Sequence, residues 1–243
     1  MLSTMKRLVA GTPLEGPARR LLALASPVGR KNSRDDDALR ALIRSLPDDA
    51  DCVDVGANMG HILDAMVTGC PNGKHIAFEP VPRLANDLRR RYPAVDVRQQ
   101  AVADAPGRVA FTVVPGRLTR SGISATLDLS VDAAVEEIEA EVTTLDAALA
   151  PDYRPTLVKI DVEGGELEVL QGARRVLAEQ RPILALEHQY GRTPAPERTL
   201  KIHDLLDGLG YDLRTIGGAT LDRQRFAELV AARAEWNFLG YPR

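Results

Sequence analysis

The chain has 243 residues, 44% of them hydrophobic and 27% charged, which suits one folded domain with a full core and favours neither a disordered chain nor a membrane bundle. A net charge of −3 and 4% aromatic residues supply neither the basic surface nor the stacking platforms of a nucleic-acid binder, so no nucleic acid is expected as partner. Cys52 and Cys70 form no CxxC pair and suggest no disulfide scaffold, and no apolar run reaches the roughly 20 residues that span a bilayer.

The charge is uneven along the chain. The first 34 residues carry seven Lys or Arg against the single acid Glu15, a +6 leader ahead of a −9 remainder. Lys6 and Arg7 are not followed by the apolar run of a signal peptide, so the cytoplasm is the expected compartment. Residues 1–34 are a candidate for peripheral contact with an anionic membrane; a solvated extension is the plainer reading. Leu14, Ala18, Leu21, Leu22 and Ala25 predict a short amphipathic helix between Pro13 and Pro27. Leu39, Leu42, Ile43 and Leu46, at i, i+3, i+4, i+7, predict another over Asp35–Leu46, stopped by Pro47. Residues 1–50 therefore read as an N-terminal helical extension, and 51–243 as one domain.

From Asp51 a rhythm of short apolar runs and helical patterns begins. Strands are predicted over Asp51–Val55, His75–Phe78, Val95–Val97, Leu157–Val162 and Ile183–Glu187. Helices are predicted over Asn58–Thr68, Arg83–Arg91, Glu166–Glu179 and Arg198–Leu209, the last capped by Gly210. Strands alternating with helices require right-handed crossovers between parallel strands, hence an α/β, doubly wound sheet. One stretch breaks the rhythm. Val109–Val114 and Ile138–Thr143 flank a small-residue tract (Ser121, Gly122, Ser124, Thr126) and read as a β-hairpin-like insertion before a short helix, Thr144–Leu149.

The strongest local signal is Asp54-Val55-Gly56-Ala57-Asn58-Met59-Gly60, where the first strand turns into a helix. Glycines there let backbone N–H groups approach a ligand, and the helix N-terminus adds positive potential. The spacing is GxxxG, not the GxGxxG that admits a pyrophosphate. Asp54 would repel a phosphate but would hold an ammonium. Glu79 ends the next strand, nineteen residues past Gly60, where an acid accepts the two hydroxyls of a ribose. A tight turn and a solvated strand-end acid are the bland readings of these features taken singly. Together they point to S-adenosylmethionine, whose methionine brings the ammonium and whose adenosine brings the diol.

Lys159-Ile160-Asp161-Val162-Glu163-Gly164-Gly165-Glu166 ends a later strand. Alternation places Lys159, Asp161 and Glu163 on one side if the strand runs that far, at the carboxyl end of the sheet where open α/β folds bind ligands. Glu166 and Glu168 stabilise a helix dipole without needing a function. Glu187 and His188 close the following strand, and His188 is the general-base candidate by intrinsic pKa. No HExxH or clustered Cys/His pattern is present and no metal is assigned. Asp161, Glu163, Glu187 and His188 would be the donors for a hard cation if they met in space.

VDVGANMG (Val53–Gly60), FEPVP (Phe78–Pro82), KIDVEGGELEVLQGA (Lys159–Ala173) and LALEH (Leu184–His188), with Trp236-Asn237-Phe238-Leu239 near the end, resemble the FkbM-type methyltransferases. The resemblance covers roughly Asp51 to the end. It implies the class I methyltransferase (Rossmann-like) fold, seven mostly parallel strands with an antiparallel last one, S-adenosylmethionine as donor, and a hydroxyl oxygen as acceptor. It further implies that Asp54, Gly56, Asn58 and Gly60 line the methionine side, that Glu79 meets the ribose, and that Ala101 and Val102 lie by the adenine. Asp161 and Glu163 would face donor or acceptor. Residues 1–50 and Leu118–Glu139 lie outside the motifs.

The leading expectation is O-methylation of a small molecule or glycosyl hydroxyl, such as a sugar of a glycolipid, with His188 as base and Asp161 second. A nicotinamide oxidoreductase would want GxGxxG or a Tyr-xxx-Lys pair, and neither is found. A non-catalytic cofactor-binding module is the other alternative.

Overall fold

A computed structural model describes residues 26–113, 122–123, 136–188 and 196–243. The helix expected within residues 13–27 and most of the small-residue tract lie outside them. So does the greater part of the basic leader.

Helix α1 (Pro27–Arg44) opens with Ser26 accepting the Gly29 N–H at 2.9 Å and Pro27 at its first turn, so it begins eight residues before the expected start at Asp35. There follow β1 (Cys52–Val55), α2 (His61–Gly69), β2 (Ile76–Phe78), α3 (Pro82–Arg91) and β3 (Asp96–Arg98). After a digression come α4 (Leu145–Ala148), β8 (Leu157–Ile160), α5 (Glu166–Gln171), β9 (Ile183–Glu187), α6 (Pro196–Gly208), β10 (Tyr211–Thr215), α7 (Arg223–Ala231) and β11 (Asn237–Pro242). The seven-stranded sheet has the order β10-β11-β9-β8-β1-β2-β3. β11, inserted between β9 and β10, runs antiparallel to both, and the other pairings in this sheet are parallel. This is the expected class I arrangement. β10, α7 and their turn carried no strong signal in the sequence.

The digression is a second sheet of order β4-β7-β5-β6, with β4 (Ala101–Val102), β5 (Gly107–Val113), β6 (Gly122–Ile123) and β7 (Glu136–Thr143). The hairpin-like pairing of β5 with β7 runs from Gly107↔Val142 to Val113↔Glu136. Phe111, Val113 and Ala140 of this sheet pack on Val81 and Leu84 at the start of α3.

The helix predicted over Glu166–Glu179 is broken. It stops at Gly172, where a Cβ would stand 2.1 Å from the Ala103 carbonyl oxygen. A π-helical turn, Val176–Gln180, follows after Asp146 captures the N–H groups of Arg175 and Val176 at 2.9 and 3.0 Å. The approach of β4 decides this, and no local periodicity reports it.

Alternation sorts the sheet into two faces. Val53, Val55, Val158, Ile160, Leu184 and Leu186 pack against α5, α6 and α7. Cys52, Leu157, Ala185 and Leu239 share a cluster with Ile43 of α1 and with Leu63 and Met66 of α2. Toward the carboxyl ends of the strands, this second face turns polar. There stand Asp54, Lys159, Asp161 and Glu187, and the site is built among them.

Candidate active site

The loop between β1 and α2 takes the shape its glycines permit. Gly56, Asn58 and Gly60 all have positive φ, at 78°, 49° and 78°. A Cβ on Gly56 would stand 1.9 Å from the Asp161 carbonyl oxygen, so the loop presses directly on the end of β8. The helix then starts at His61, not Asn58, because Gly60 is its left-handed N-cap. Two arginines hold the carbonyls at this junction: Arg91 Nη2 donates to Met59 at 2.5 Å, and Arg40 Nη2 to His61 at 2.5 Å. Met59 is exposed at the loop's crest.

Glu79 follows β2 and is 4% exposed. Its Oε2 accepts the Asn58 N–H at 2.7 Å and its Oε1 the Val81 N–H at 2.9 Å. Burial raises its pKa to about 7, against the pull of those two donors. The predicted ribose acid thus also braces the glycine loop.

Asp54 is fully buried, and register places it directly opposite Lys159. Lys159 Nζ lies 3.1 Å from Asp54 Oδ1 without hydrogen-bond alignment, donates to the Gly56 carbonyl at 2.8 Å, and stands 3.5 Å from Asp161 Oδ2. Burial raises the pKa of Asp54; it opposes the charge on Lys159, yet Asp54 and Asp161 outweigh it and hold that amine above its ordinary value. The charge that Asp54 faces in the structure is the Lys159 ammonium, which in turn holds the Gly56 carbonyl of the loop.

β8 ends at Ile160, two residues short of the predicted strand, so alternation does not carry through to Glu163. Glu163 lies in a left-handed turn at φ 55°, followed by Gly164 at 103°. Asp161 stays beside the loop, its N–H donating to the Val55 carbonyl at 3.1 Å.

His188 packs on the side of Phe226. It is 5% exposed, with Nδ1 3.2 Å from Glu166 Oε2 and Nε2 2.9 Å from Thr199 Oγ1. Both ring nitrogens are engaged, on the face occupied by Phe226 and away from the polar one. An imidazole so held ties α5 and α6 to β9. Ala101 and Val102 are buried and paired with β7 at Val142 and Thr143, so only backbone groups remain to them for ligand contact.

Two residues not chosen as site residues from the sequence belong to this cluster. Lys159 was legible as a charged residue inside an apolar strand. Glu187 stands one step beyond the register pair Ile160↔Leu186, as Asp161 does on the neighbouring strand. Burial first, then the charges of Asp161 and Glu163, push its pKa up to about 9. Among the described residues, no group of three or more His, Cys, Asp or Glu is placed to hold a metal ion.

The sequence pattern of the methyltransferase FkbM domain matches residues 54–213, about two-thirds of the chain. The chain belongs to the FkbM methyltransferase family. It is accordingly an S-adenosylmethionine-dependent methyltransferase domain. It is 29% identical over 242 aligned residues to the AMB antimetabolite synthetase AmbE of Pseudomonas aeruginosa, covering 80% of this chain and 11% of that protein. It is 30% identical over 163 residues to the methyltransferase sdnD of Sordaria araneosa, covering 54% of this chain and 62% of that one. The chain thus spans about a tenth and about three-fifths of these relatives. Among solved structures, the methyltransferase FkbM of Methylobacillus flagellatus KT aligns with a TM-score of 0.49 at 21% identity, over 81% of this chain and 44% of that one.

The site fits S-adenosylmethionine on its own chemistry. Each Glu79 oxygen accepts one loop N–H and has capacity for a second donor, such as a ribose hydroxyl. The charges of Asp161 and Glu163 raise the cost of ionising Glu187, and a cationic ligand relieves that repulsion. Among the described residues, no helix is long and apolar enough to cross a membrane.

Proposed function

We propose that the chain transfers a methyl group from S-adenosylmethionine to a hydroxyl oxygen of a small, uncharged acceptor, such as a sugar or other glycoside. When bound, the cofactor supplies a methyl already activated by a sulfonium. The protein's task is then alignment and removal of the acceptor's proton. Gly56, Asn58 and Gly60 shape the loop that receives the methionine side, with Glu79 on the ribose. Lys159 holds the Gly56 carbonyl and Asp161 in one frame. An alcohol needs a base, and the observation that carries this reading is Glu187: a half-buried carboxyl with raised pKa, at the ligand end of β9 beside Asp161. Ionised, it is a stronger base than an ordinary carboxylate, so it takes the role assigned to His188 from the sequence. The three acids also disfavour a phosphorylated acceptor. That one relative is an antimetabolite synthetase supports a small-molecule acceptor.

The test is incubation with 13C-methyl-labelled donor and a panel of neutral glycosides, hydroxylated small molecules and their phosphorylated counterparts. The expected product carries its label as an O-methyl group on a neutral acceptor and is lost with Glu187→Gln. A label on nitrogen or carbon, or full turnover by that variant, overturns the reading.

A further inference from the structure

Helix α1 lies outside the region that the family pattern covers, and so does the turn into β11. The two are joined at three consecutive residues. Lys31 Nζ lies 2.6 Å from Glu235 Oε2 and 4.1 Å from the centre of the Trp236 ring. Asn32 Oδ1 accepts the Trp236 indole N–H at 3.1 Å. Asp35 Oδ2 accepts from Asn237 Nδ2 at 3.1 Å and pairs with Lys31 one helical turn earlier. Lys31, Asn32 and Asp35 share one helix face.

What this clamp grips is the strand junction carrying Glu187. Asn237 is the register partner of Glu187, and the Trp236 carbonyl accepts the His188 N–H at 2.7 Å. The same helix reaches the donor side further along, where Arg40 donates to the His61 carbonyl beyond the glycine loop. Its hold on the core does not need the clamp. Leu39, Leu42, Ile43 and Leu46 already bury the other half of the helix, and Gly69 of α2 lets Ile43 approach closely. The Asp35 side chain is 1% exposed and that of Lys31 13%. A buried ion pair commonly adds little net stability, and its best-attested use is to fix one register.

We propose that Lys31, Asn32 and Asp35, with Trp236 and Asn237, are positioning residues that hold Glu187 at the point of methyl transfer. This rests on the reading of Glu187 given above. Two cofactor analogues read it out without the acceptor: S-adenosylhomocysteine, which is neutral where the methyl would be, and sinefungin, which carries an ammonium there. Their affinity ratio, measured by calorimetry on the full chain, reports the negative charge at the transfer point. Asp35→Asn and Trp236→Phe are expected to leave the affinity for S-adenosylhomocysteine within twofold and to lower the preference for sinefungin at least threefold. Glu187→Gln is expected to lower that preference at least as far, with Asp161 and Glu163 keeping the remainder. Should Asp35→Asn melt below the assay temperature, Asn32→Ala, at an exposed position, carries the same expectation. If Glu187→Gln lowers the preference while the clamp variants keep it, the clamp has no positioning role and the reading of Glu187 stands. If Glu187→Gln keeps it, both fall.

Discussion

Lys159 Nζ stands 3.1 Å from Asp54 Oδ1 on adjacent parallel strands, two opposite charges enclosed beneath the glycine loop. Removing one charge strands the other in a low-dielectric interior, at about 3–5 kcal/mol. Lys159→Met and Asp54→Asn are each expected to lower stability by that order in urea titrations. The double variant should recover a large part of the loss. Strictly additive losses would show that the two side chains act independently.

The pH dependence of cofactor binding follows from Glu79. Its pKa of about 7 lies above the ordinary value, so protonation favours the folded state and this contribution weakens as pH rises through 7. Ribose hydroxyls donate, and they prefer the ionised carboxylate. Affinity for S-adenosylhomocysteine is therefore expected to rise from pH 6 to pH 8, with proton release on binding. Glu79→Gln should bind weakly and without that slope. A slope unchanged in the variant assigns the titration elsewhere.

His188 and Glu187 are adjacent in sequence and separate in role. His188→Ala leaves Glu166 and Thr199 buried without their partner, at about 1–3 kcal/mol for each group. The melting temperature should fall while turnover per folded molecule stays within about tenfold. Glu187→Gln should keep the fold and lose roughly 10²–10⁴ in turnover, the worth of a general base. The opposite pattern would return the base to the histidine.

Gly56 has no room for a side chain. A Cβ there meets the Asp161 carbonyl at 1.9 Å, in a left-handed conformation that itself costs an alanine about 1–2 kcal/mol. Gly56→Ala should push the loop off β8 and abolish S-adenosylhomocysteine binding, read by thermal shift with and without ligand. Normal binding by that variant would mean that the loop does not contact the cofactor.

Much of this architecture was legible in the residues. The short apolar runs of β1, β2, β8 and β9 and the amphipathic patterns between them are local signals, and so are the glycine loop and Glu79. They depend on which side chains a strand or helix can bury, and that is written every two or every 3.6 residues. The start of α1 was read late because its first two turns are polar and capped by Ser26, with no apolar stripe to mark them.

The rest depends on residues far apart in the chain. Whether Asp54 meets a ligand or Lys159 is a matter of register between β1 and β8, 105 residues apart. Whether α5 continues past Gly172 is decided by how near β4 comes. The spacing of Glu187 and His188 showed two chemically able groups. Only packing showed that Thr199 and Glu166 take the histidine while Asp161 and Glu163 crowd the glutamate. The fold class, the glycine loop and the gathering of charged groups at one end of the sheet follow from the linear order, because periodicity and turn residues are local. Which of those charges are paired is set by the fold, because pairing and desolvation depend on neighbours that the linear order does not name.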